Sequence, residues 1–268
     1  MRKYLYFILC LSLLSFGCDK KEVLPTASFT YDGESNSTLK VGTNDERMLI
    51  NHSQNGQSYL WDFGDGRTSE EKDVVLFYPK SGTYEVKLTV TSIDGVKSES
   101  RKQVVVLDRV LKKIIIEQIQ WITHKQEGLS FRWPTTSQAD VFFQIQQYTN
   151  AEMEPLGIYP SCPVIYTSPV IKDVNQLTYD PIEIPVEEKI IIGKIRNSNY
   201  GYYAIPENLN QVYLYSLMAK DKAGDTFSLY HNGGGGNAIR IEKEDIEQNI
   251  YIVDFSQLSR IRLVCEYE

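Results

Sequence analysis

The sequence predicts an all-β protein, and three observations carry that prediction. Apolar residues recur with period two, as where Tyr84, Val86, Leu88 and Val90 alternate with Thr83, Glu85, Lys87 and Thr89, which is the pattern of strands with one buried face. Turn dipeptides separate such runs at Asp32-Gly33, Asn55-Gly56, Asp65-Gly66, Ser81-Gly82 and Asp94-Gly95, at the spacing of a β-sandwich. Beyond the N-terminal leader no window longer than about ten residues carries a helical stripe, and Lys243 to Gln248 offers one helical turn at most. A chain of 268 residues, 42% hydrophobic and 24% charged, can bury a core in one or two domains. Its net charge of −7 repels phosphate backbones and argues against a nucleic-acid partner.

The first 17 residues read as an address. Arg2 and Lys3 precede the apolar stretch Tyr4 to Phe16, which ends at Gly17-Cys18 before the charged run Asp19-Lys20-Lys21-Glu22, the three-part layout of a secretory signal. The stretch is too short to cross a bilayer of about 30 Å, which takes roughly 20 apolar residues. LSFGC at 14 to 18 resembles a bacterial lipobox. That resemblance implies cleavage before Cys18, acylation of Cys18 with palmitate-like chains, and a lipid anchor in the outer membrane of the cell envelope, on its periplasmic or its surface face. Each buried methylene would supply about 0.8 kcal/mol, so several chains hold a protein without any spanning helix. Residues 18–25 are then the lipidated cysteine and its tether. An ordinary signal peptide with an incidental cysteine is the other reading.

Residues 26–107 make the first domain. Ala27, Phe29 and Tyr31 begin the alternation and Met48 and Ile50 continue it; YLWDFGDG at 59 to 66 and GTYEVKLTV at 82 to 90 follow, with Asp94-Gly95 after them. Those two stretches in that order resemble the PKD (polycystic kidney disease) domain, which implies an immunoglobulin-like β-sandwich and extracellular contact with protein or carbohydrate. In bacteria such domains accompany secreted systems that degrade polysaccharide or protein. The motif itself reads as architecture: Trp61 enters the core from a strand, Gly64 and Gly66 permit backbone angles closed to other residues, and Asp62 and Asp65 accept bonds from the turn's own backbone. Asp62-Phe63-Gly64 also spells a kinase magnesium motif, but none of the companion kinase motifs is present. Asp62, Asp65, Glu70 and Glu71 do not have the spacing of an EF-hand loop.

Residues 111–268 make the second domain. Strand-like runs occur at 142–145, 164–167, 189–195, 211–219, 226–230, 238–241, 249–255 and 260–267, again the content of a β-sandwich. Their order resembles the synaptotagmin-type sandwich, which implies calcium and phospholipid binding through loop aspartates; Asp140, Asp173, Asp221 and Asp225 fall at matching places. Lys172, Lys220 and Lys222 lie among them, so the expectation is the fold without the ion, and no metal. Cys162 and Cys265 allow one disulfide in an oxidising compartment, or two separate buried thiols.

No catalytic constellation is expected. His52, His124 and His231 sit in separate segments without zinc spacing, no G-x-S-x-G elbow occurs, and Gly233 to Gly236 lacks the Lys-Ser/Thr of a phosphate loop. No cofactor is expected either. Tyr200, Tyr202 and Tyr203, beside Asn197 and Asn199, are the candidate ligand-binding residues, with Trp121 and Trp133 as further aromatics, because flat rings stack on sugars and amides bond to them; packing within the fold is the alternative. The expected role is a noncatalytic binding or spacer module on the envelope, held to the membrane by its lipid and partnered by a surface glycan or an envelope protein. Two rivals stand beside it: a small hydrolase with its acids in the second domain, and a calcium- or membrane-binding module.

Overall fold

The computed structural model describes residues 23–121, 134, 136–148, 163–193, 212–231, 238–256 and 259–268. Every regular element among them is a strand, as the periodicity predicts. β1 (Phe29–Tyr31), β2 (Thr38–Gly42), β3 (Arg47–Asn51), β4 (Ser58–Asp62), β5 (Thr68–Ser69), β6 (Val74–Leu76), β7 (Gly82–Thr91) and β8 (Lys97–Leu107) form a three-stranded sheet, β1-β3-β6, and a five-stranded sheet, β2-β8-β7-β4-β5. The chain divides into two compact units. One holds Met48–Val74, Glu85–Lys102 and the residues before Ser37; the other holds Ser37–Arg47, Val75–Tyr84 and Gln103–Glu268.

In the first unit the period-two pattern of β7 does what it foretells: Val86, Leu88 and Val90 are buried while their neighbours are half-exposed or exposed. β4 pairs antiparallel with β7 and sets Trp61 opposite Leu88. Phe29, on the other sheet, meets the Trp61 ring edge-on at 5.1 Å between centroids. A sandwich core forms where the two sheets' apolar faces share large rings.

The second unit carries β9 (Arg109–Gln120), β10 (Gln138–Tyr148), β11 (Val164–Thr167), β12 (Ile171–Asn175), β13 (Leu177–Thr178), β14 (Ile182–Pro185), β15 (Val212–Lys220), β16 (Thr226–His231), β17 (Ala238–Asp245), β18 (Ile250–Ser256) and β19 (Arg260–Tyr267). A five-stranded sheet runs β11-β10-β15-β16 with β12 also on β10, and a six-stranded sheet runs β13-β9-β19-β18-β17 with β14 also on β9. Their inner faces close one core, to which Ile114 and Ile116 of β9, Phe143 and Ile145 of β10, and Val253, Ile261 and Leu263 all contribute. Tyr215 on one sheet and Phe255 on the other meet at 5.1 Å. Each such side chain contributes about 1.5–3 kcal/mol on burial, an upper estimate for a compact unfolded chain.

Two local expectations are corrected. The run at 189–195 reads as a strand, but Ile191 makes only an isolated bridge to Val110, and Gly193 has no regular partner. β14 already occupies that edge of β9 from Lys113 to Ile116, so the run finds only the strand's first residues free. The helical turn allowed at Lys243 to Gln248 is instead the end of β17 and a tight turn, in which Asp245 accepts a bond from the Gln248 amide at 2.9 Å. Asn249 closes that turn with φ +58°, a conformation asparagine tolerates.

Candidate functional site

The W-D-F-G-D-G stretch is the most specific motif in the sequence, and its polar groups turn inward on the turn itself. Trp61 is fully buried, and its indole Nε1 donates to the Glu71 carbonyl oxygen at 2.9 Å. Asp62 Oδ1 accepts from the Gly64 amide at 3.0 Å, and Asp65 Oδ1 accepts from the Arg67 amide at 3.1 Å. Arg67 Nε returns a bond to Asp65 Oδ2 at 2.8 Å. Partial burial works against ionisation of Asp65, but the bonds from Arg67 outweigh it and hold the carboxyl below its ordinary range. Gly64 has φ +77°, and a Cβ there would lie 2.7 Å from the Glu85 carbonyl oxygen; both facts demand glycine. Gly66 likewise has φ +92°. All five motif residues therefore build the turn.

Two of the four loop aspartates of the second unit, Asp140 and Asp221, are occupied in the same way. Asp140 accepts from Lys172 Nζ at 2.6 Å and from the Asp173 amide at 3.2 Å, and Lys172 above all holds its carboxyl below the ordinary range. Asp221 caps the β15–β16 turn by accepting from the Ala223 and Asp225 amides at 2.9 and 3.0 Å. Asp173 stands at φ +53°. Among the described residues no group of three or more His, Cys, Asp or Glu side chains is placed to hold a metal ion.

Sequence reasoning missed a polar cluster built around a fully buried arginine. Arg109, the first residue of β9, is completely buried. Its Nη1 donates to the Thr43 carbonyl oxygen at 2.8 Å, and its Nη2 donates to Asp45 Oδ1 at 2.6 Å and Glu244 Oε1 at 3.1 Å. The guanidinium lies 4.8 Å from the Tyr251 ring centroid and 5.4 Å from that of Tyr267, within cation–π range. Asp45 Oδ2 also accepts the Gly42 amide at 2.8 Å, and an added Cβ on Gly42 would overlap the guanidinium. Burial pulls the Arg109 pKa down, but the charges of Asp45 and of Tyr267, Tyr251 and Glu244 more than offset it, leaving it above its ordinary value. The arrangement holds charge firmly, with Arg109, Thr43 and Asp45 buried and Glu244 at its solvent edge, and it ties the segment 43–45 to β9, β18 and β19.

Cys265 lies in the buried face of β19 as a free thiol. Burial pushes its pKa up to about 12 although Arg109 pulls the other way. The thiolate is the reactive form, so in a chain carrying Cys10→Ser, Cys18→Ala and Cys162→Ser the native protein is expected to leave Cys265 unmodified by a thiol reagent at pH 8. One equivalent should appear after denaturation; rapid native modification would contradict the burial. Cys18, Cys162, Trp133, Tyr200, Tyr202 and Tyr203 lie outside the described residues. Trp121 is buried, and its Nε1 donates to the Thr136 carbonyl oxygen at 3.1 Å, so it packs rather than stacks on a ligand.

Comparison with known proteins places the N-terminal region in a family. Residues 22–106 fit the family model of the PKD domain. A stretch of 59 residues is 48% identical to collagenase ColA of Clostridium perfringens, spanning 22% of this chain and 5% of the collagenase. A stretch of 88 residues is 35% identical to the pre-pro-metalloprotease PrtV of Vibrio cholerae, spanning 33% of this chain and 9% of that protein. The solved PKD1 domain of the V. cholerae metalloprotease PrtV is 34% identical and covers 31% of this chain and 98% of its own, with a TM-score of 0.26. This chain therefore shares one small module with those much longer proteins. With its hallmark tryptophan, aspartates and glycines all committed to the turn, the segment 22–106 is a PKD domain.

Proposed function

We propose that this chain is a lipid-anchored envelope protein in which the PKD domain and the second β-sandwich act as a noncatalytic binding or spacer module. The observation that carries the reading is the PKD domain itself, whose most specific residues serve the fold. The names of its relatives, a collagenase and a metalloprotease, support a place among secreted degradative systems, in which such a module holds a partner or sets a distance. Acylation at Cys18 would provide the anchor, and Tyr200, Tyr202 and Tyr203 the first surface to test for a glycan.

A glycan array probed with residues 24–268, and again with the three tyrosines changed to alanine, tests the ligand. Binding that the triple change removes while the melting temperature stays unchanged is the expected result. Failure to bind any glycan turns the reading to an envelope protein, sought by crosslinking. Labelling of the whole chain with radioactive palmitate, lost in Cys18→Ala, tests the anchor; equal labelling of the variant would reject it.

A further inference from the structure

We propose that Arg109 is a clamp that makes the segment 41–45 and the strands β18 and β19 open and close as one cooperative block. The inference does not depend on what the protein binds. β2 is a weak element by its own means: five residues, three of them half-exposed or exposed, paired in parallel to the end of β8 alone. A short edge strand of that kind ordinarily frays at little cost. Here its end runs into Thr43 and Asp45, which are buried against Arg109, while the same guanidinium lies over Tyr251 of β18 and Tyr267 of β19.

Opening either side weakens the compensation of a buried charge. If the segment 43–45 leaves, Arg109 loses the Thr43 carbonyl and its shorter carboxylate bond, to Asp45 at 2.6 Å, and keeps beneath the two rings the partly exposed Glu244 carboxylate at 3.1 Å. If β18 and β19 leave, the Asp45–Arg109 pair loses the cover that excludes water. Removing one partner from a buried charge pair is costly, so partial opening is disfavoured from both directions. The neighbouring backbone closes the same joint: the Asp108 amide donates to the Glu268 carbonyl oxygen at 2.8 Å and the Glu268 amide returns the bond to Asp108 at 2.9 Å.

Native-state hydrogen exchange on residues 24–268 tests the clamp with two mild variants. Ile261→Val removes one buried methylene from β19. It is expected to speed exchange by about the same factor, roughly fivefold, at the amides of 41–43 and of 261–265. Acceleration at 261–265 alone would overturn cooperativity. Asp45→Asn keeps an acceptor for the Gly42 amide and removes the charge. With it, the amides of 41–43 are expected to speed up at least about tenfold more than those of 261–265. Equal acceleration of both segments would reduce Arg109 to an ordinary stabilising contact and overturn the clamp.

Discussion

Arg109→Ala is expected to lower the stability of the unit that contains it by about 3–5 kcal/mol, the usual consequence of removing one partner from a buried ion pair. The side chain is completely buried, and its carboxylate partner Asp45 is 4% exposed. Alanine removes the Arg109 charge from Asp45 and the packing beneath the Tyr251 and Tyr267 rings. Against a typical domain stability of about 5–15 kcal/mol, such a loss moves the denaturant midpoint far enough to read directly. Gly42→Ala should act in the same direction without touching a charge, because its methyl displaces the guanidinium from its seat. The double change Arg109→Met with Asp45→Leu should lose much less than Arg109→Ala, because replacing both members of a buried pair with apolar groups is often close to neutral. If Arg109→Ala unfolds at the wild-type midpoint, the joint contributes nothing and the reading fails.

Why the sequence concealed that joint is a matter of distance along the chain. Arg109 follows a strand end and reads as a charged linker residue, while Asp45 lies 64 residues before it and Glu244 135 residues after it. Periodicity reports only which face a residue points to, and it did so well where one face is buried: Val86, Leu88 and Val90 in β7, or Ile261, Leu263 and Cys265 in β19. It failed at 189–195, where apolar content was high but the edge of β9 was already taken by β14. Competition for an edge is a tertiary fact that no local pattern carries. The motif turn was legible for the opposite reason. Asp62 bonds two residues on to Gly64, and Asp65 bonds two residues on to Arg67, so the whole device is written within one short segment. The loop aspartates of the second unit were legible in position, and the lysine that pairs Asp140 was already visible in the sequence as a reason to doubt calcium.

Trp61→Ala is the second large effect expected, a loss of about 3–5 kcal/mol from a core aromatic truncated to a methyl. The ring is fully buried between Leu88, its neighbour across the β4–β7 pair, and the edge of Phe29 at 5.1 Å with the planes at 77°. Phe29 is itself held edge-on by Tyr31 at 5.8 Å, which hinders its collapse into the space. The indole does a second thing that volume alone does not capture: Nε1 ties down the Glu71 carbonyl beyond β5. Trp61→Phe separates the two roles. It keeps an aromatic body against Phe29 and leaves that carbonyl without its donor, so it should cost about 1–3 kcal/mol and should loosen the residues after Ser69 before it loosens β7. Circular dichroism against urea measures the first, and hydrogen exchange at 70–74 compared with 86–90 measures the second. A Trp61→Phe protein in which both segments exchange at wild-type rates would show that the indole bond holds nothing, and that the tryptophan of this motif is kept for its size alone.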